Sequence, residues 1–83
     1  MKKSDLQVGV VIHNGKGGRF YAERKIIGAG PEFVLYPGQE DEDCLQYIEV
    51  NRGGKPVTGA EPRNITRTAL AAWGKGIVRR EEP

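Results

Sequence analysis

Glycine is the residue that most limits what this chain can become. Twelve of its 83 residues are glycine. They gather at apparent corners: Gly15 and Gly17-Gly18, Gly28 and Gly30, Gly38 behind Pro37, Gly53-Gly54, and Gly74 and Gly76. Residues that accept positive φ at such short intervals imply tight turns, and closely spaced turns leave room for short strands more readily than for long helices.

The segments between the corners fit that expectation. Residues 8–13 are β-rich, with Val8, Val10 and Ile12 expected on one face and Val11 and His13 on the other. Residues 14–18, NGKGG, read as a hairpin loop, and residues 19–27 as the returning strand. On that strand Phe20, Ala22 and Ile26 should face the core, and Arg19, Tyr21, Glu23 and Lys25 should face solvent. Arg24 falls among the apolar positions, so a bulge or a strand end is expected beside it. Phe33-Val34-Leu35-Tyr36 reads as a short third strand closed by Pro37-Gly38, and residues 45–50 as a fourth. Residues 51–55 form a second hairpin turn, and residues 56–58 a short strand that Pro56 confines to an edge.

The periodicity changes in NITRTALAAWGKG. Ile65, Ala69, Ala72 and Trp73 recur at helical spacing with Leu70 beside them, Asn64 is a candidate N-cap, and Gly74 or Gly76 can end the helix in the left-handed conformation. About three turns are expected. Ile77-Val78 suggests a last edge strand.

The fold class that follows is α+β: a small antiparallel sheet of four to five short strands with one C-terminal helix packed on one face, Trp73 in its core. The alternative is an SH3-like small barrel with an appended helix. Residues 1–83 form a single domain, with 1–6 and 80–83 expected to fray. The strands-then-helix order resembles, as a layout only, small sheet-plus-helix DNA-binding domains such as the arm-binding domains of phage integrases.

Composition narrows the function classes. With 37% hydrophobic and 29% charged residues, the chain matches an ordinary folded domain. No apolar stretch follows Met1-Lys2-Lys3, and the runs VVI, FVLY and ALAAW are too short for a bilayer, so neither export nor membrane insertion is expected. A lone cysteine, Cys44, agrees with a reducing cytoplasm.

No catalytic constellation stands out. GKGG lacks the spacing and the Ser/Thr of a phosphate loop. His13 and Cys44 are the only histidine and cysteine, so neither a zinc site nor any other metal or cofactor is expected. The carboxylates of residues 40–43 disfavour a Cys44 thiolate. The expectation is a non-enzymatic binding protein.

Charge layout suggests what it binds. Residues 1–30 carry six Lys/Arg against two acids, residues 31–50 six acids and no Lys/Arg, and residues 51–83 seven Lys/Arg against three acids. Period-two alternation would set Arg19, Tyr21 and Lys25 on one outer face, where cations attract phosphate and a ring stacks on a base. Lys16, Arg52, Arg63 and Arg67 could extend that patch into a nucleic-acid-binding face for RNA or DNA. The alternative is a small regulator, adaptor or inhibitor, of the kind phages and other mobile elements encode, that docks on a larger protein through Glu40, Asp41, Glu42 and Asp43. Exposed edge strands would also permit a homo-oligomer.

Overall fold

Residues 10–13 are apolar enough to need burial on both sides, and the chain meets that need by pairing them on both edges. The computed structural model describes residues 1–81. Strand β1 (Val10–His13) pairs antiparallel with β2 (Ala22–Ala29) on one side and with β6 (Gly76–Arg80) on the other. Beyond β2 lies β3 (Cys44–Arg52). The outer edge of β3 is shared: β4 (Lys55–Pro56) takes its end, and β5 (Arg63–Thr66) takes its beginning. The order is therefore β4-β3-β2-β1-β6 with β5 also on β3. Helix α1 (Arg67–Trp73) bridges β5 to β6, so the sheet curls into a half-barrel. This is a small α+β domain of the kind an SH3-like barrel also describes.

Leu6, Val10, Ile12, Ile26, Leu45, Leu70 and Ala71 form the core, with Met1, Ile65 and Trp73 packed against it. Leu6, Ile12, Ile26, Leu45 and Leu70 are wholly buried. Each contributes about 1.5–3 kcal/mol relative to exposure. Three strands, a helix and the N-terminal segment are thus locked to one another by a handful of aliphatic side chains.

Several expectations hold. Gly53-Gly54 makes the two-residue turn between β3 and β4, Pro56 lies on the edge, and residues 77–78 sit in an edge strand. The β2–β3 register also slips between Glu23 and Arg24, where a charged residue interrupts the apolar side.

Other expectations fail for identifiable reasons. The returning strand begins at Ala22, not Arg19. Gly18, at φ +59°, opens a 3-10 turn over Gly18–Phe20 that breaks the alternation and leaves Phe20 62% exposed. Buried Asn14 fastens this loop, accepting from the amides of Lys16 and Ala22 and donating to the Phe20 carbonyl. Val8 is not in the core either, because the chain turns at Gly9 before β1 begins.

Residues 33–36 are not a strand. Both edges of β2 are occupied, and the outer edge of β3 is taken by β4 and β5, so neither of the strands flanking this run in the chain offers it a ladder. Instead, Pro31–Phe33 forms a 3-10 turn and Val34, Leu35 and Tyr36 stand exposed. The buried side chain of Gln39 holds that tip, accepting from the Leu35 amide and donating to the Asp43 carbonyl.

The helix is two turns long rather than three. Asn64 and Ile65 pair with Gln46 and Leu45 in β5, which moves the cap to Thr66. Thr66 Oγ1 accepts from the Ala69 amide at 2.9 Å. Gly74 ends the helix at φ −78°, not in the left-handed region; a Cβ there would press on the Met1 sulfur and the Ile12 side chain.

Within residues 1–6, where fraying is expected, both ends of the segment make contacts with the domain. Leu6 is buried, and the Met1 amino group donates to the Ala71 carbonyl at 3.0 Å. At the other end Arg80 is paired within β6, and Glu82 and Pro83 lie outside the described residues.

A cap as short as this one makes a measurable prediction. Thr66→Ala should cost about 1 kcal/mol. In a domain of this size that lowers the melting temperature by about 4–8 °C. Thr66→Ser should melt with wild type, and a Thr66→Ala protein with unchanged melting would show that the cap carries no weight.

Candidate functional site

The concave side of the half-barrel opens into a groove of about 630 Å³. Five separate segments build it. The β1–β2 loop contributes Lys16, Arg19 and Phe20; β2 contributes Arg24; β3 contributes Tyr47, Glu49 and Arg52; and the stretch from β4 through β5 contributes Glu61 and Arg63. Trp73, the last residue of α1, closes one end. Five cations thus face two carboxylates, and Glu49 is already bonded to Arg52 at 2.6 Å.

Arg24 lies deepest in chemical terms. It pairs with Ile12 across β1 and β2 and so points to the side that holds the core. A charge there must be accommodated, and two rings do it. The guanidinium carbon is 4.5 Å from the centre of the Tyr47 ring and 4.0 Å from that of Trp73. Contacts of this kind are worth about 0.5–2 kcal/mol each. Burial pushes the Arg24 pKa below its ordinary value, with Tyr47 and Glu49 opposing the shift. Guanidinium remains charged nonetheless, because its pKa starts so high. At the rim, Arg19 lies 4.9 Å over the Phe20 ring.

The outer face of the first hairpin is different in character. Tyr21 donates a hydrogen bond to Glu23 and stacks beside His13. That hydrogen bond, followed by burial, pushes the Tyr21 pKa up. Lys25 pairs with Glu81 at 3.5 Å, and Arg79 pairs with both Glu23 and Glu81. These neighbours pull the Glu81 carboxyl below its ordinary range against the opposing effect of burial. The cations of this face are matched by acids. Arg19, Tyr21 and Lys25 therefore do not form one stripe: the 3-10 turn at residues 18–20 carries Arg19 into the groove, away from the other two.

Of the remaining basic positions, Lys16, Arg52 and Arg63 join Arg19 in the groove. Arg67 does not. Its guanidinium donates to the carbonyls of Glu42, Lys3 and Leu6, tying α1 to the acidic turn and to the N-terminal segment. Arg24, Tyr47, Phe20 and Trp73 are the groove residues that sequence reasoning assigned elsewhere or passed over. The signal for Arg24 was its position out of phase within an apolar stripe; nothing local marked Tyr47.

The acidic segment forms a 3-10 turn over Asp41–Asp43. Asp43 accepts from the Thr68 amide and hydroxyl, supporting the start of α1. The carboxylates of Glu40, Asp41 and Glu42 form no ion pair among the described residues. Cys44 is buried, donates to the Glu40 carbonyl at 3.3 Å, and has its pKa raised by burial and by the carboxylates of Asp41 and Asp43. Such a thiol is a poor nucleophile. Among the described residues no cluster of three or more His, Cys, Asp or Glu side chains could hold a metal ion, and no helix is long and apolar enough to cross a membrane.

No protein-family model, curated protein or solved structure matches this chain.

Proposed function

We propose that this protein is a non-enzymatic nucleic-acid-binding module whose contact surface is the concave groove. One observation carries the reading: Lys16, Arg19, Arg52 and Arg63 arrive from distant parts of the chain and share one groove with Phe20, Tyr47 and Trp73. Cations at a rim attract a phosphate backbone, and aromatic faces offer bases something to stack on. On the outer sheet face, by contrast, acids already match the cations.

The test is a salt series with labelled RNA and DNA. Three to four phosphate contacts on a single strand give a slope of about −2 to −3 in log affinity against log salt. Arg19→Glu with Arg63→Glu should weaken binding at least ~10-fold at low salt and flatten that slope. Lys25→Gln, on the outer face, should bind as wild type. Equal binding by the double variant and wild type would refute the groove, and no binding of either nucleic acid would refute the function.

A second reading has an observation of its own. Val34, Leu35 and Tyr36 are 47%, 53% and 49% exposed on a tip fastened by Gln39, next to the uncommitted carboxylates of Glu40, Asp41 and Glu42. An apolar tip with an acidic rim suits a regulator or adaptor that docks on a larger protein. A partner retained after nuclease treatment, and lost on Leu35→Asp, would favour this reading over the first.

A further inference from the structure

Building on the nucleic-acid reading above, we propose that the groove takes single strands in preference to duplex, seating one base against Tyr47 and Trp73 where the Arg24 guanidinium now lies.

The Tyr47 and Trp73 rings already contact one flat group. The Arg24 guanidinium lies 4.5 Å from one ring centre and 4.0 Å from the other. A nucleobase is also flat and stacks on the same π-faces, so the space suited to one suits the other.

Arg24 is also free to leave. Among the described residues its guanidinium forms no ion pair and no hydrogen bond, in contrast to Arg67 on its three carbonyls and Arg79 on its two carboxylates. The two rings are its close side-chain contacts among the described residues. A phosphate arriving with the base offers a guanidinium the paired acceptors it lacks, since a planar fork matches phosphate oxygens. The exchange moves Arg24 outward by rotation about its own side-chain bonds, and each partner ends with a better match: base on rings, guanidinium on phosphate.

The preference for single strands follows from access. Bases within a duplex are stacked on one another and cannot enter a slot between side chains, whereas those of a single strand can be turned out. A duplex would meet only the rim cations.

Trp73 is the one tryptophan of the chain, so its emission reports on the slot directly. The probes are a thymidine decamer, an abasic decamer with the same phosphates, and a duplex of equal length. The expected result is quenching of Trp73 by the thymidine decamer alone, with affinity at least ~10-fold above that for the abasic strand and the duplex. Tyr47→Leu should abolish that difference while keeping salt-dependent binding, Tyr47→Phe should restore it, and circular dichroism melting confirms that each variant is folded. If all three probes bind equally and Trp73 emission does not change, the base slot is refuted and the nucleic-acid reading stands. If none binds at low salt, both fall together.

Discussion

Gly9→Ala should remove a large share of the stability of this domain although it adds only one methyl group. Gly9 sits at φ +95°, and a Cβ there would collide with the backbone carbonyl oxygen of Glu81. The neighbouring bonds leave no slack: the Gly9 amide donates to Ile26 at 2.9 Å, and its carbonyl accepts from Glu81 at 2.6 Å. Residue 9 is therefore clamped between the β2 and β6 sides of β1. An L side chain in this backbone region costs about 1–3 kcal/mol. Forcing the β6 end aside adds about 1–3 kcal/mol more. At about 0.05–0.15 kcal/mol per residue a chain this long holds roughly 4–12 kcal/mol in all. The expected loss of about 2–6 kcal/mol should appear as a lower denaturant midpoint with an unchanged slope. Gly17→Ala is the control, because a Cβ there meets nothing within 4 Å and φ is negative. A Gly9→Ala protein within ~1 kcal/mol of wild type would show that the clamp yields, contrary to the strain expected for that backbone region.

Arg67→Ala should come next, with a loss of about 2–4 kcal/mol, since bonds from a charged donor count for about 1.5–3 kcal/mol each and partial exposure reduces the sum. The carbonyls of Lys3, Leu6 and Glu42 would lose the guanidinium, and that of Lys3 would keep the Leu6 amide. The damage should concentrate where those carbonyls lie. Amide exchange in residues 2–7 and 41–43 should accelerate well ahead of exchange in β2 and β3. Arg67→Lys should rescue little, because an ammonium lacks the fork that reaches three acceptors. The folded variant should keep wild-type affinity for nucleic acid. Arg63→Ala should do the reverse, weakening binding and leaving melting almost unchanged, because its side chain is exposed in the groove. An Arg67→Ala protein that melts normally but fails to bind would return Arg67 to the contact surface.

How far local pattern foretold this fold depends on whether a segment's neighbours in space were also its neighbours in the chain. The turn at Gly53-Gly54, the edge position of Pro56 and the slip beside Arg24 involve adjacent residues, and their chemistry shows in the sequence. The helix start depended on a remote pairing. Asn64 and Thr66 are both competent caps, and only the pairing of β5 with β3 decides between them. Residues 33–36 have strand composition, yet the edges of β2 and β3, the strands on either side of them in the chain, are occupied by others. The candidate site divides the same way. Lys16, Arg19, Arg52 and Arg63 were recognisable by type. That they meet one another, and meet Tyr47 and Trp73 instead of Tyr21 and Lys25, is decided by a 3-10 turn at Gly18 and by the curl of the sheet.

The pairing of β6 with β1 has a consequence for synthesis. Val10 is matched to Arg80 and His13 to Gly76, so β1 stays bare along one edge until residues 76–80 have been made. Ladders that join distant parts of a chain form slowly, commonly over milliseconds to seconds. Completion of this domain thus waits on residues 76–80, and a nascent chain stalled before residue 76 exposes an apolar strand to any passing edge.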